Sequence, residues 1–267
     1  MDMDYVKPPQ VIESVAVAGK NKAQLPISHI LIKAMLAGVL LGYATTLAFT
    51  GATQTGLDIV GALIFPTGFV ITLLLNLELV TGSFVAMPIA RFRNKITVPN
   101  IARNFTWAFI GNLAGSVIYA VLYTIYITHF GNIEDSIMIQ KLIAVAESKT
   151  LDYKAYGWDG MVVVFVKAML CNFMVTLGVL MNATSTSTIG KITAMWIPIF
   201  IFFAQGFEHA VVNMFVIPAA MMVGADISMA DWWIWNQIPV TIGNFVSGFL
   251  FVGLAFHIVT KEQREKL

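Results

Sequence analysis

The 267-residue sequence predicts an all-α integral membrane protein of six transmembrane spans, built as two inverted three-span repeats with broken second and fifth helices. Three observations predict this class. The chain is 58% hydrophobic and only 12% charged, about half the charge share of a soluble domain. Its apolar residues gather into blocks of about 20 residues or more, the length that crosses a bilayer. Short polar motifs recur in the same order in both halves. The composition sets aside disorder, a nucleic-acid partner and an ordinary cytosolic enzyme. The N-terminal residues lack the pattern of a cleaved signal peptide.

The spans fall near residues 28–51, 57–90, 103–130, 159–182, 190–223 and 236–260. Basic residues cluster before and just inside the first block (Lys7, Lys20, Lys22, Lys33), after the second (Arg91, Arg93, Lys95, Arg103) and at the C-terminus (Lys261, Arg264, Lys266). The positive-inside rule therefore places both termini, the 91–103 loop and Lys191 in the cytoplasm. The turn at 51–56, the acidic 131–158 loop and the 224–235 loop then face outward. Lys141, Lys149 and Lys154 run against the pattern in the outer loop, and Lys167 falls inside the fourth span. The expected organisation is one channel domain over 1–267: a cytoplasmic segment 1–27, a first repeat 28–130, a second repeat 159–260 and a cytoplasmic tail 261–267. Within 1–27, residues 9–24 carry Val11, Ile12, Val15 and Val17 among Lys20 and Lys22, the pattern of an amphipathic surface helix and a candidate gate.

The second and fifth blocks exceed 30 residues and are interrupted by polar and helix-breaking residues. The second holds Pro66, Gly68, Asn76, Glu78, Thr81, Gly82, Ser83 and Pro88; the fifth holds Pro198, Gln205, Gly206, Glu208, His209, Asn213 and Pro218. Free backbone groups at membrane depth survive only packed in protein or lining a wet cavity, and paired breaks in corresponding spans point to a transport site. Lys33-Ala34-Met35-Leu36 recurs as Lys167-Ala168-Met169-Leu170, Glu78 and Pro88 repeat the spacing of Glu208 and Pro218, and Gly111-Asn112 recurs as Gly243-Asn244. Two halves of three spans each must be inverted, because three is odd.

Glu78 and Glu208 are carboxylates at membrane depth, where an ionisable group must face the bundle interior with a partner. The expected role of each is to cap backbone N–H groups at its break. His209 adjoins the second break, and imidazole can donate a hydrogen bond to an anion or hand it a proton. Thr81 offers a hydroxyl at the other break. Phe65, Phe69 and Phe202 are candidate apolar constrictions, and Asn172 and Asn213 either bond across helices or line a vestibule. Cys171 is alone, so neither a disulfide nor a thiolate metal site is expected. No metal, nucleotide or other cofactor motif is present. A membrane-embedded enzyme using Glu208 and His209 as acid and base is the rival from another class.

The run Gly206-Phe207-Glu208-His209-Ala210-Val211-Val212-Asn213-Met214-Phe215, with Ile238-Pro239-Val240-Thr241-Ile242-Gly243-Asn244, resembles the formate/nitrite transporter family. The resemblance extends from the Lys33 span to the last span. It implies a homopentamer of six-span protomers with an aquaporin-like fold, each with its own pore in the cytoplasmic membrane. Thr81 then matches the family threonine of an Ω-like loop, and His209 the pore histidine. Leu79, Phe65 and Phe202 match narrow apolar slits, with Phe69 standing where formate-channel members tend to have Leu. Asn172 and Asn213 match vestibule or loop-anchoring asparagines. The family's outer lysine corresponds to Lys154 or Lys149. The implied function is a channel for formate and similar small monovalent anions, proton-coupled through His209, with nitrite or hydrosulfide as the alternative substrate.

Overall fold

The structure, a computed structural model, describes residues 4–264; the ends of the chain, Lys266 among them, lie outside the described residues. Helices follow one another as α1 (Pro8–Gln24), α2 (Ile27–Thr55), α3 (Asp58–Ile64), α4 (Pro66–Leu74), α5 (Val80–Phe92), α6 (Val98–Ile127), α7 (Ile137–Ser148), α8 (Leu151–Ala155), α9 (Gly157–Asn182), α10 (Thr188–Ala204), α11 (Ala210–Met222), α12 (Met229–Trp232), α13 (Ile238–Val246) and α14 (Ala255–Arg264). The last three form one continuous helical run through π-helical turns at Trp233–Gln237 and Ser247–Leu254. Among the described residues no strand occurs beyond an isolated bridge between Tyr5 and Ser185.

Four helical segments are long and apolar enough to cross a membrane: Ile27–Thr55, Val98–Ile127, Gly157–Asn182 and Met229–Lys261. At about 1.5 Å per residue each exceeds the roughly 30 Å hydrocarbon core. Between them lie two pairs of shorter apolar helices, Asp58–Leu74 with Val80–Phe92 and Thr188–Ala204 with Ala210–Met222. These pairs are the broken second and fifth blocks. α2 and α6 approach through small residues: a side chain on Gly111 would strike Ala34, one on Gly115 the backbone of Met35, and one on Gly38 the backbone of Asn112. Small residues four apart let helix backbones meet where lipid gives no hydrophobic drive between them.

α1 forms where the pattern predicts a helix, but its apolar face does not lie on a membrane surface. Val11, Ile12, Val15 and Ala16 are buried in a cluster with Val85, Ala86, Ile89 and Leu180. Gly19 permits the approach, since a Cβ there would collide with the backbone of Ala86. Packing on α5 buries the stripe in protein and directs Lys22 inward. Before α1, Asp4 clasps the 184–187 turn, its carboxylate accepting from the Ser185 hydroxyl at 2.8 Å and the backbone N–H groups of Thr186 and Ser187 at 2.7 and 2.8 Å. Those donors, Ser185 first, hold the Asp4 carboxyl well below the usual range.

The two breaks are built alike. α4 ends with Asn76 in the left-handed region (φ 52°), and α10 with Gly206 (φ 64°). In each, a longer reverse bond closes the helix, Leu77 N–H to the Thr72 carbonyl and Phe207 N–H to the Phe202 carbonyl, the Schellman arrangement that satisfies terminal carbonyls. Asparagine tolerates positive φ better than most residues and glycine tolerates it freely. The next helices start from extended residues of matching conformation, Leu79 (φ −108°, ψ 117°) and His209 (φ −110°, ψ 119°).

Candidate functional site

The first backbone N–H after each break, that of Val80 or Ala210, is capped by an asparagine and not by a glutamate. Asn112 accepts the Val80 N–H at 2.9 Å and donates to the carbonyls of Ala34 and Glu78, both at 2.8 Å. Asn244 accepts the Ala210 N–H at 3.0 Å and donates to the carbonyls of Ala168 and Glu208 at 2.7 and 3.0 Å. The three recurring sequence motifs therefore meet in space, and each half ties its helix, its break and its asparagine into one knot. A neutral amide can accept and donate at once, which a carboxylate cannot.

The carboxylates, both 1% exposed, collect cations and amides instead. Glu78 accepts from Lys22 Nζ at 2.9 Å and Asn104 Nδ2 at 3.2 Å. Glu208 accepts from Lys149 Nζ at 3.0 Å, Tyr153 Oη at 2.8 Å, Asn213 Nδ2 at 2.8 Å and Asn236 Nδ2 at 3.3 Å. A second ammonium attends Glu208, with Lys167 Nζ 3.9 Å away, whereas Lys33 donates to the Asn76 carbonyl at the end of α4. Two lysines against one carboxylate leave the Glu208 cluster net positive, and Lys22 balances Glu78. Burial, and then the charge of Glu208, push the Tyr153 phenol above its ordinary range, so it remains a donor.

Between the clusters Thr81 Oγ1 lies 3.0 Å from His209 Nε2, and both residues are buried. The Val212 backbone N–H points at His209 Nδ1, 3.2 Å away. A backbone N–H can only donate, so Nδ1 is an acceptor and the proton of the neutral ring is on Nε2. Nε2–H then donates to Thr81 Oγ1, and the threonine hydroxyl proton is left to point at a passing acceptor. Asn172 steadies this pair, donating to the Thr81 carbonyl at 3.3 Å and to the Asn244 carbonyl at 2.7 Å. Phe202 stacks near the imidazole at 5.8 Å between ring centres and packs edge-on to Phe65 at 5.7 Å. Leu79 and Phe69 are buried in the same core cluster.

One cavity borders each break. One of about 440 Å³ is lined by Lys149, Phe202, Phe203, Phe207 and His209 beside the start of α3. The other, about 520 Å³, is lined by Lys22, Asn76, Leu77, Asn182 and Lys191 beside the end of α4. The structure thus brings Thr81, His209, Phe65, Phe202 and Asn172 together, and sets Glu208 with Asn213 behind them. Of the two lysines in the long loop, Lys149 reaches the cavity, whereas Lys154 binds Asp231 at 2.8 Å. Sequence reasoning had no hold on Lys22, Asn104, Asn236 or Tyr153. The eight-residue interval that separates Asn104 from Asn112 and Asn236 from Asn244 is the signal that would have found the two asparagines.

The sequence profile described as formate/nitrite transporter matches residues 9–258. The chain belongs to the formate/nitrite transporter family. Relatives in the formate/nitrite transporter family include an uncharacterized transporter, YrhG, of Bacillus subtilis (strain 168), 35% identical over 264 residues that cover 96% of this chain and 94% of that protein. The formate channel BtFdhC of Bacillus thuringiensis is 29% identical over 275 residues, covering 99% and 100%. Among solved structures, an FNT family ion channel has the same fold, with a TM-score of 0.79 at 23% identity over 94% of this chain and 98% of that one. A pentameric formate channel with formate bound superposes with a TM-score of 0.70 at 25% identity over 87% and 97%. This formate/nitrite transporter is thus a membrane transport protein and not an enzyme, so the acid/base reading of Glu208 and His209 falls.

Proposed function

We propose that the protein conducts formate and similar small monovalent anions across the cytoplasmic membrane, through a pore centred on Thr81 and His209. The observation that carries this reading is the buried Thr81–His209 pair, with a lysine-lined cavity at each of the two breaks that hold it. A bare anion in an apolar slit is heavily penalised. Here the positive ends of α5 and α11, the free Thr81 proton and the net positive cluster at Glu208 offset that penalty. Phe65, Phe69, Phe202 and Leu79 form the apolar constrictions, Lys149 is the outer basic residue, and Asn172 and Asn213 hold the pair and the break in place.

Proton coupling runs through the same pair. His209 passes its Nε2 proton through the Thr81 hydroxyl to formate, while Nδ1 gives up the Val212 N–H and takes a proton from the cavity. Formate crosses the second constriction as the neutral acid and releases the proton beyond it. The matching knots at Asn112 and Asn244, and the equal conformations at Leu79 and His209, support six spans in two inverted halves, 28–130 and 159–260. The basic residues near the first span and after the second support cytoplasmic termini, and the formate-bound pentameric relative supports a pentamer with one pore per protomer.

Purified protein in liposomes tests the reading. Influx of formate, nitrite, hydrosulfide, acetate and lactate at pH 5.5 and 7.5 is expected to be largest for formate and faster at the lower pH. Saturable nitrite or hydrosulfide flux exceeding that of formate would reassign the substrate within the family, and absence of flux for all five would refute the reading.

A further inference from the structure

α7 carries one residue the pore does not use. Lys141, Ala144, Val145 and Ser148 follow one another at helical spacing and line the 440 Å³ cavity, which Lys149 enters just beyond the helix. Eight residues at about 1.5 Å each put the two lysines roughly 12 Å apart along the cavity wall. Lys149 sits deep, on Glu208. Lys141 sits at the mouth, where its Nζ is 2.8 Å from Asp58 Oδ1 and 5.9 Å from the centre of the Phe49 ring. The partners differ in exposure: the Asp58 side chain is 91% exposed and that of Lys141 24%. The ammonium is thus held in the wall by an aromatic face, and its carboxylate hangs in solvent. An ion pair with one fully hydrated partner is readily opened.

We propose that Lys141 is the capture residue of this cavity: it takes small carboxylates at the mouth before they reach Lys149, and the Asp58 carboxylate is a tethered competitor for the same ammonium. A formate ion presents the oxygen atoms that Asp58 presents, so it exchanges for Asp58 at Lys141 and then moves along the α7 wall toward the second lysine. The competitor keeps the mouth from binding anions so tightly that they stall. This inference rests on the proposed anion-transport reading and assigns its entry step.

Concentration-dependent formate influx into liposomes tests it, comparing wild type, Lys141→Gln, Lys141→Arg, Asp58→Asn and the double variant. Lys141→Gln is expected to raise the half-saturating concentration roughly two- to fivefold at unchanged maximal flux, the size of one screened charge near the mouth. Lys141→Arg keeps the wild-type value, and Asp58→Asn lowers it by a similar factor. The double variant matches Lys141→Gln, because a competitor has no effect once its target is gone. The difference between wild type and Lys141→Gln shrinks as ionic strength rises from about 0.01 M to about 1 M. Wild-type flux accompanied by an unchanged half-saturating concentration in Lys141→Gln overturns this inference alone. A lowered value for Asp58→Asn that persists in the double variant also overturns it. If wild type carries no small anion at all, the functional reading fails and takes this step with it.

Discussion

Replacing His209 by Asn separates the two roles the imidazole combines. In the folded chain Nδ1 accepts the Val212 N–H at 3.2 Å, Nε2 lies 3.0 Å from Thr81 Oγ1, and the ring stacks near Phe202. Asparagine is among the best N-cap residues, so the start of α11 survives the change. The Nε2–H donor is lost, and with it the arrangement that turns the Thr81 proton toward the anion. One hydrogen bond to a charged group is worth about 1.5–3 kcal/mol, which at about 1.4 kcal/mol per decade is a roughly ten- to hundredfold fall in formate flux. Rapid-mixing influx into liposomes carrying an internal pH dye measures it, at pH 5.5 and 7.5. The residual flux is also expected to lose its rise toward low pH, because the relay is gone. His209→Ala removes the cap as well and adds about 1 kcal/mol of destabilisation. His209→Asn protein with wild-type flux and a wild-type pH profile would refute the relay.

Other outcomes follow from the same geometry. Asn244→Leu strands the Ala210 N–H and the Glu208 carbonyl and removes a second bond from the Ala168 carbonyl; at about 1–3 kcal/mol per stranded buried group, the thermal transition of the purified protein falls steeply. Asn112→Leu behaves alike, and an unchanged transition in either variant contradicts the capping role. Glu208→Gln leaves Lys149 and Lys167 without their carboxylate and costs about 3–5 kcal/mol, while Glu208→Gln with Lys149→Met recovers part of that loss; strictly additive single effects would mean the pair is not coupled. The depressed Asp4 carboxyl stabilises its clasp above the ordinary carboxylate pKa of about 3.9, and that contribution disappears only as pH falls through the lower folded value. Hydrogen exchange at the Val6, Thr186 and Ser187 amides should therefore show equal protection, corrected for intrinsic rate, at pH 5.5 and 7.5, and lose it in Asp4→Asn at both; protection that fades between those pH values argues against the assignment.

The breaks, the Thr81 and His209 positions and the ordered motifs were legible in the sequence because each is a local departure from an apolar background. Helix-breaking and polar residues at membrane depth stand out by their cost. The functions of those motifs were less legible. Glu78 and Glu208 read as caps, because a carboxylate beside a free helix start is a sound local inference. The asparagines that cap the Val80 and Ala210 N–H groups, Asn112 and Asn244, lie more than 30 residues away and stood out in the sequence only as a recurring Gly-Asn pair. Lys154 and Lys149 both fitted the outer loop; a turn between α7 and α8 turns one to Glu208 and the other to Asp231.

Composition and charge placement by themselves determined that the chain is a membrane protein with two interrupted apolar blocks, because transfer cost and backbone satisfaction act residue by residue along the chain. The fold alone decided which lysine meets which carboxylate, that α1 lies on protein and sends Lys22 to Glu78, and which nitrogen of His209 carries the proton. Those are distances between groups far apart in sequence, set only when helices pack, and no local pattern encodes them.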